Sequence, residues 1–328
     1  MRLRATRLSL SGGSSSSSAP LAFLEYTTAN VSEFEIQFVG SPNYDVDWGD
    51  GSTDTGLTNL RKLHTYSIAG VYTVKITPAA GSILRPEQFG LPNFSTNLTK
   101  VGGTGGSELG TNLQRAWRGI TSLISFGAID TSSVTHMIAT FNGCTGLTSF
   151  PLINTSNVVT LNNCWTGCSG LTSFPLIDTS STTDLNGTWT SCISLTSFPS
   201  LNTGSCTNFT SAWRDNRALT TFPSLDFSSG TTFLAAWRDC HTLTTYPANQ
   251  FDNTGTLASN AFTNAWVSCA LTAQSIENIL TSLDTNGASN INLNLNAGSN
   301  AGKSTWSTAA NTAYTNLINK GWTISYNA

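Results

Sequence analysis

Charge is what this chain has least of. Asp, Glu, Lys and Arg make up 10% of its 328 residues, against roughly 25% in ordinary soluble domains. The net charge is −3 and the one basic cluster is Arg2, Arg4 and Arg7 at the N-terminus, so the electrostatic footprint of a nucleic-acid binder is missing and no nucleic-acid partner is expected. Long hydrophobic runs are absent too. No stretch reaches the roughly 18 apolar residues that a spanning helix needs, so membrane insertion is not expected. Histidine occurs three times, at His64, His136 and His241, each isolated in sequence. The acids are dispersed, so no convergent constellation for catalysis stands out and the chain is read as non-enzymatic. Metal-ligand spacing is lacking as well. Cys164 and Cys168 are the one close cysteine pair and no histidine adjoins them, so neither a metal nor a cofactor is expected.

What fills the space left by charge is Ser, Thr, Asn and Gly, together with 39% hydrophobic residues, enough for a sizeable core. The N-terminus places Arg2, Arg4 and Arg7 among Leu8 and Leu10, followed by Ser14 to Ser18. Arg and Ser interrupt the apolar residues, so this is not the continuous core of a secretion signal. The alternation of Leu8 and Leu10 with serines suits a short strand that pairs with a partner, and residues 1–20 are read as a docking arm and linker. The cysteines number seven, an odd count. They are read as buried free thiols rather than a disulfide framework.

From residue 21 to about 80 the pattern has a period of two. Phe34, Ile36 and Phe38 alternate with Glu33, Glu35 and Gln37, and Tyr44, Val46, Trp48 and Tyr72, Val74, Ile76 repeat the scheme. Asp50-Gly51 is a tight-turn signal between such strands. Short alternating strands with glycine-rich turns predict an antiparallel β-sandwich. Trp48-Gly49-Asp50-Gly51-Ser52, then His64-Thr65-Tyr66, then Gly70-Val71-Tyr72-Thr73-Val74 resembles the PKD family of Ig-like domains over about 40 residues. The turn here lacks the family's usual intervening Asp-Phe. The resemblance implies a spacer or adhesion domain. Asp47, Asp50 and Asp54 lack the spacing of a calcium loop and are expected to cap turn amides.

After a connector at 81–108, residues 109–270 carry an internal repeat. Trp117, Phe141, Trp165, Trp189, Trp213 and Trp237 follow one another at a constant step of 24, and Phe126, Phe150, Phe174, Phe198, Phe222 and Tyr246 keep the same step. Leu123, Leu147, Leu171, Leu195, Leu219 and Leu243 form a third register, and Cys144, Cys168, Cys192, Cys240 and Cys269 a fourth, with Asn216 in one member's place. A seventh, irregular unit holds Phe262 and Trp266. One unit has too few apolar residues for a core, so units must stack. With one strand per coil the rise would be about 4.8 Å, and proline, unable to donate to a ladder, should mark the corner where the coil leaves the sheet.

The unit Cys168-x-x-Leu171-Thr-Ser-Phe174-Pro175-x-Ile177-Asp-Thr-Ser180 resembles the BspA-type leucine-rich repeat, which is found in bacterial surface proteins and bacteriophage virion proteins. It departs through Phe-Pro where many relatives have Leu-Asp, and through Trp where many have Met-Phe. Residues 271–328 complete the chain. Ile276, Ile279, Leu280 and Leu283 fit one helix face and Ala310, Ala313, Tyr314 and Leu317 another, while Ile291, Leu293, Leu295 and Trp322, Ile324, Tyr326 alternate as strands. Ala297 to Ser304 nearly spells a P-loop but lacks its first glycine.

The expected fold class is therefore mainly β: an Ig-like β-sandwich followed by a leucine-rich-type solenoid of 24-residue repeats, with a small α/β C-terminal cap. Together the resemblances imply a bacteriophage virion structural protein, a capsid decoration or tail fibre, assembled in the host cytoplasm and present in many copies. Other virion proteins would be held through the arm (Arg2, Arg4, Arg7, Leu8, Leu10) and a host surface glycan through the repeats. The alternatives are a secreted cell-surface adhesin and a polysaccharide depolymerase pairing Asp215 with Asp239 across coils. The candidate glycan or partner face is Trp213, Arg214, Asp215, Trp237, Arg238 and Asp239, with the threonine column Thr172, Thr196 and Thr220; the alternative is that the tryptophans are core and the Arg/Asp pairs solvated edges.

Overall fold

The alternating segments of the first module become strands whose apolar residues are buried. In the computed structural model residues 24–86 and 97–328 are described; the arm residues Arg2, Arg4, Arg7, Leu8 and Leu10 lie outside them. The described chain is mainly β, with two α-helices near its C-terminal end. Nine strands come first: β1 (Leu24–Thr28), β2 (Val31–Val39), β3 (Tyr44–Asp47), β4 (Thr53–Leu57), β5 (Arg61–Gly70), β6 (Thr73–Pro78), β7 (Arg85–Pro86), β8 (Leu98–Gly103) and β9 (Ser125–Phe126). One open sheet has the order β4-β3-β6-β1-β8-β9 and the other β5-β2-β7. Phe34, Ile36 and Phe38 of β2 are buried, as are Tyr44, Val46, Trp48, Val74 and Ile76. The stretch read as a connector thus supplies β7 and β8. Strand β8 runs antiparallel to β1 on one side and parallel to β9 on the other, with Val101 opposite Phe126. Its parallel pairing with β9 leads the sheet into the repeats, and one continuous core runs from Leu24 to Ile324.

The repeats lie one on another in parallel register. Bridges join Asn112 to His136, His136 to Thr160, Thr160 to Asp184, Asp184 to Asn208 and Asn208 to Thr232. The ladder itself departs from the expected strands. In the unit at 161–167 the N–H groups of Leu161, Asn163, Trp165 and Gly167 donate to the carbonyls of Asp184, Asn186, Thr188 and Thr190, at 3.1, 2.8, 2.9 and 2.7 Å. All four bonds point toward the next unit. The backbone between them is a run of turns, in which Cys164 N donates to Leu161 O at 2.9 Å and Cys168 N to Trp165 O at 3.1 Å. A turn of this kind needs a positive φ at its third residue, and the chain supplies it at Asn163 (55°), Gly167 (73°), Ser211 (54°) and Ala235 (53°). An L-residue there costs about 1–2 kcal/mol. What offsets that cost is the inter-unit bond made by each neighbouring amide and the packing beneath.

That packing is two interleaved aromatic columns. Trp189 stacks on Trp165 at 6.0 Å and on Trp213 at 5.8 Å, near parallel at 5° and 8°. Phe174 and Phe198 meet its edges at 5.3 and 4.8 Å in T-shaped contacts, the arrangement that ring quadrupoles favour. The cysteine register points inward as expected. Cys144, Cys168, Cys192 and Cys240 each place Sγ 3.0–3.2 Å from the carbonyl of the aromatic residue 27 positions earlier. Pro175 and Pro199 stand at corners, their carbonyls accepting from Ile177 and Leu201 in tight three-residue turns.

The last unit is covered by helix α1 (Ala273–Asn286), strand β10 (Asn292–Leu295), helix α2 (Thr308–Asn319) and strand β11 (Thr323–Tyr326), β10 and β11 pairing in parallel. Thr272 and Ser307 cap the two helices by accepting from Ser275 N and Ala310 N. Helix α1 buries Ile276, Ile279, Leu280 and Leu283, as its spacing predicts. The P-loop-like stretch serves this packing. A Cβ on Gly298 would come 2.5 Å from Cys269 O, Asn300 donates to Trp266 O at 2.9 Å, and the Lys303 ammonium sits 3.7 Å over the Tyr314 ring.

Candidate functional site

Residues one step before and at a ladder turn project from the edge of the stack. At Ser191, Asp215 and Asp239 the backbone is left-handed, with φ of 58°, 61° and 64°, a conformation that Asp tolerates better than most L-residues. This carries the side chains out beside those of Thr190, Arg214 and Arg238, one unit apart. Ser191 Oγ donates to Asp215 Oδ2 at 3.0 Å, and Arg217 Nε donates to Asp215 Oδ1 at 2.7 Å. Arg214 Nε and Arg238 Nε stand 3.7 and 3.4 Å from Asp239 Oδ2. His241 completes the edge, its Nδ1 2.9 Å from Ser268 O and therefore carrying the proton. Between these groups opens a polar cleft of about 460 Å³, lined by Thr190, Ser191, Arg214, Asp215, Arg217, Asp239 and His241.

The structure divides the candidate face. Arg214, Asp215 and Asp239 line the cleft together, and Arg238 braces Asp239 from beside it. Trp213 and Trp237 do not belong there. Both are 0% exposed, because the ladder turns aim this register into the aromatic column, and no ligand can reach them. Thr172, Thr196 and Thr220 are exposed but form a separate column, in which Thr196 Oγ1 donates to Thr172 O at 3.2 Å; they do not line the cleft. Sequence reasoning passed over Thr190, Ser191, Arg217 and His241. The register was the available signal, since Arg217 and His241, like Asp215 and Asp239, stand one 24-residue step apart.

The acids of the first module have partners of their own. Asp47 accepts from Gly49 N at 2.9 Å, Asp50 from Ser52 N and His64 Nε2 at 2.9 Å, and Asp54 from Trp48 Nε1 at 2.9 Å. The Ser52 hydroxyl, then His64 and the Ser52 amide, hold the Asp50 carboxyl well below the usual carboxylate range. His64 packs flat on Trp48 at 4.6 Å. Among the described residues no group of three or more His, Cys, Asp or Glu is placed to hold a metal ion, and no helix is long and apolar enough to cross a membrane. All seven cysteines are buried and free, and burial pushes the Cys144, Cys192, Cys206 and Cys240 thiols up to about 12. A buried, protonated thiol is a poor nucleophile and a poor metal ligand.

Compared with known proteins, the chain matches no family model and no curated protein.

Proposed function

We propose that the chain is a bacteriophage virion structural protein, a capsid decoration or tail-fibre component, that attaches to a host surface or glycan and runs no reaction of its own. In this reading the first two sheets are an Ig-like β-sandwich, the repeats a leucine-rich-type solenoid, and residues 271–328 its cap. The observation that carries attachment is the polar cleft of Thr190, Ser191, Arg214, Asp215, Arg217, Asp239 and His241. Its donors and acceptors are held on turns locked to their neighbours by backbone bonds and seated on a filled aromatic core. Such a site is organised before its ligand arrives, which lowers the cost of binding.

Seven buried free thiols favour the virion reading over the adhesin. Disulfides are rare in proteins that fold in a reducing compartment such as the host cytoplasm and common in exported ones. The residues read as a docking arm would hold the protein to other virion proteins, in many copies per particle. Asp215 and Asp239 stand one unit apart, the feature behind the depolymerase alternative, but each is already engaged by an arginine. This suits a surface that holds a ligand more than one that exchanges protons with it.

The test is mass spectrometry of purified phage particles and of cell-surface fractions from the source organism. Recovery of the chain in particles supports the proposal. Recovery of a processed chain in the cell-surface fraction overturns it in favour of the adhesin. Shortening of a host polysaccharide by the purified protein would instead establish the depolymerase.

A further inference from the structure

Building on the attachment reading, we propose that the ligand of the cleft is an acidic glycan, recognised through a sugar carboxylate. Neutral sugars are commonly held by stacking an apolar sugar face on an exposed aromatic ring. Here Trp117, Trp165, Trp189, Trp213, Trp237 and Trp266 are each 0% exposed, so the repeat columns offer no such platform. What the stack offers instead is charge, in one place. Between Arg118 and Lys303 the sequence has only three Lys or Arg residues, namely Arg214, Arg217 and Arg238. All three are at or beside the cleft, one unit apart at most.

Two arginines, Arg214 and Arg217, line the cleft with two carboxylates, Asp215 and Asp239, and Arg238 beside it adds a third cation 3.4 Å from Asp239, so arginines outnumber acids at this edge. The geometry leaves the cationic ends available. Arg217 is anchored to Asp215 through Nε at 2.7 Å, with its side chain 60% exposed, and Arg214 approaches Asp239 through Nε at 3.7 Å. Both contacts use the inner nitrogen, and the terminal Nη atoms make the pair of parallel donors that fits a carboxylate. An arginine already oriented by an acid loses less freedom on binding than a loose one. The acceptors fit a sugar as well. Asp215, Asp239 and the hydroxyls of Thr190 and Ser191 can bond ring hydroxyls, while the Nη groups take the acid.

The experiment is an array of carboxylated oligosaccharides of the uronate, sialate and ketulosonate classes, each printed beside its methyl ester. It is probed with the full chain and with Arg217→Ala, Arg217→Lys and Arg214→Ala, alongside a host-cell adhesion assay. Far-UV circular dichroism confirms that each variant is folded. The expected result is that at least one acid binds, its ester binds at least tenfold more weakly, Arg217→Ala loses the acid, and Arg217→Lys restores it only in part. Equal binding of acid and ester, unchanged by Arg217→Ala, overturns the carboxylate assignment and leaves attachment standing. Adhesion to host cells with no glycan bound overturns the cleft as the site. Failure of both assays overturns the attachment reading itself.

Discussion

Trp189 offers the sharpest test of how the stack is held together. It is fully buried, stacked between Trp165 and Trp213 and edged by Phe174 and Phe198. A buried Trp side chain covers up to about 250 Å². Truncation to Ala removes on the order of 150 Å² of apolar contact, which at about 25 cal/mol/Å² is close to 4 kcal/mol. That agrees with the about 3–5 kcal/mol seen when buried aromatics become Ala. Trp189→Phe should behave differently, because Phe141 fills the same register between Trp117 and Trp165 at 5.4 and 6.1 Å. The Trp189 indole N–H has no hydrogen-bond partner, so Phe removes volume but no bond, at a cost of about 1–2 kcal/mol, the value of two lost methylene-sized groups. Urea unfolding at 25 °C, followed by circular dichroism, measures both. Amide exchange should quicken first at Gly187, Trp189 and Ser191, whose N–H groups bond the next unit at 2.8–2.9 Å. If Trp189→Phe cost as much as Trp189→Ala, or if Trp189→Ala left stability within about 0.5 kcal/mol, a margin typical of surface changes, the aromatic columns would not be the source of the stack's cohesion.

Three further outcomes follow from other sites. Asn216 stands in the cysteine register with both side-chain polar atoms buried and unpartnered, whereas Cys192 and Cys240 on either side bond a carbonyl at 3.2 and 3.1 Å. Leaving a polar group unsatisfied costs about 1–3 kcal/mol, so Asn216→Cys should raise the urea midpoint, and a lower midpoint would show that the amide is satisfied after all. Ellman's reagent should titrate none of the thiols in native buffer and all seven in urea, since every one is buried; rapid native labelling would mean the core opens. The lowered Asp50 carboxyl stabilises the fold above the unfolded carboxylate range near about pH 4, and this contribution is lost as pH falls through that range toward the lower folded value. The stability difference between the parent and Asp50→Asn should therefore shrink from pH 7 to pH 3, and a difference that stays constant would contradict the assigned hydrogen bonds.

Much of the fold was legible because burial needs periodicity. Apolar side chains at a step of 24 must stack to leave water, so Trp165, Leu171, Phe174 and Ile177 were readable as core from their spacing alone. The same holds for Ile276, Ile279, Leu280 and Leu283 of α1. A period of two likewise marked Phe34, Ile36 and Phe38 of β2. The backbone of the ladder was not legible. The left-handed positions fall on Arg115, Ala139, Ser211 and Ala235 as well as on glycine, and no local propensity marks an alanine for positive φ. That conformation is imposed by the bonds to the next unit, which exist only once units stack. Nor could the sequence say which edge residues of neighbouring units would converge on one cleft. Trp213 and Arg214 are adjacent in the chain, yet one is sealed in the core and the other lines the cleft. The chain by itself determined that the repeats stack and which residues fill them. The gathering of Arg214, Asp215, Arg217 and Asp239 from neighbouring units at one edge came only with the fold, because that convergence depends on the sign of φ at residues whose own chemistry does not set it.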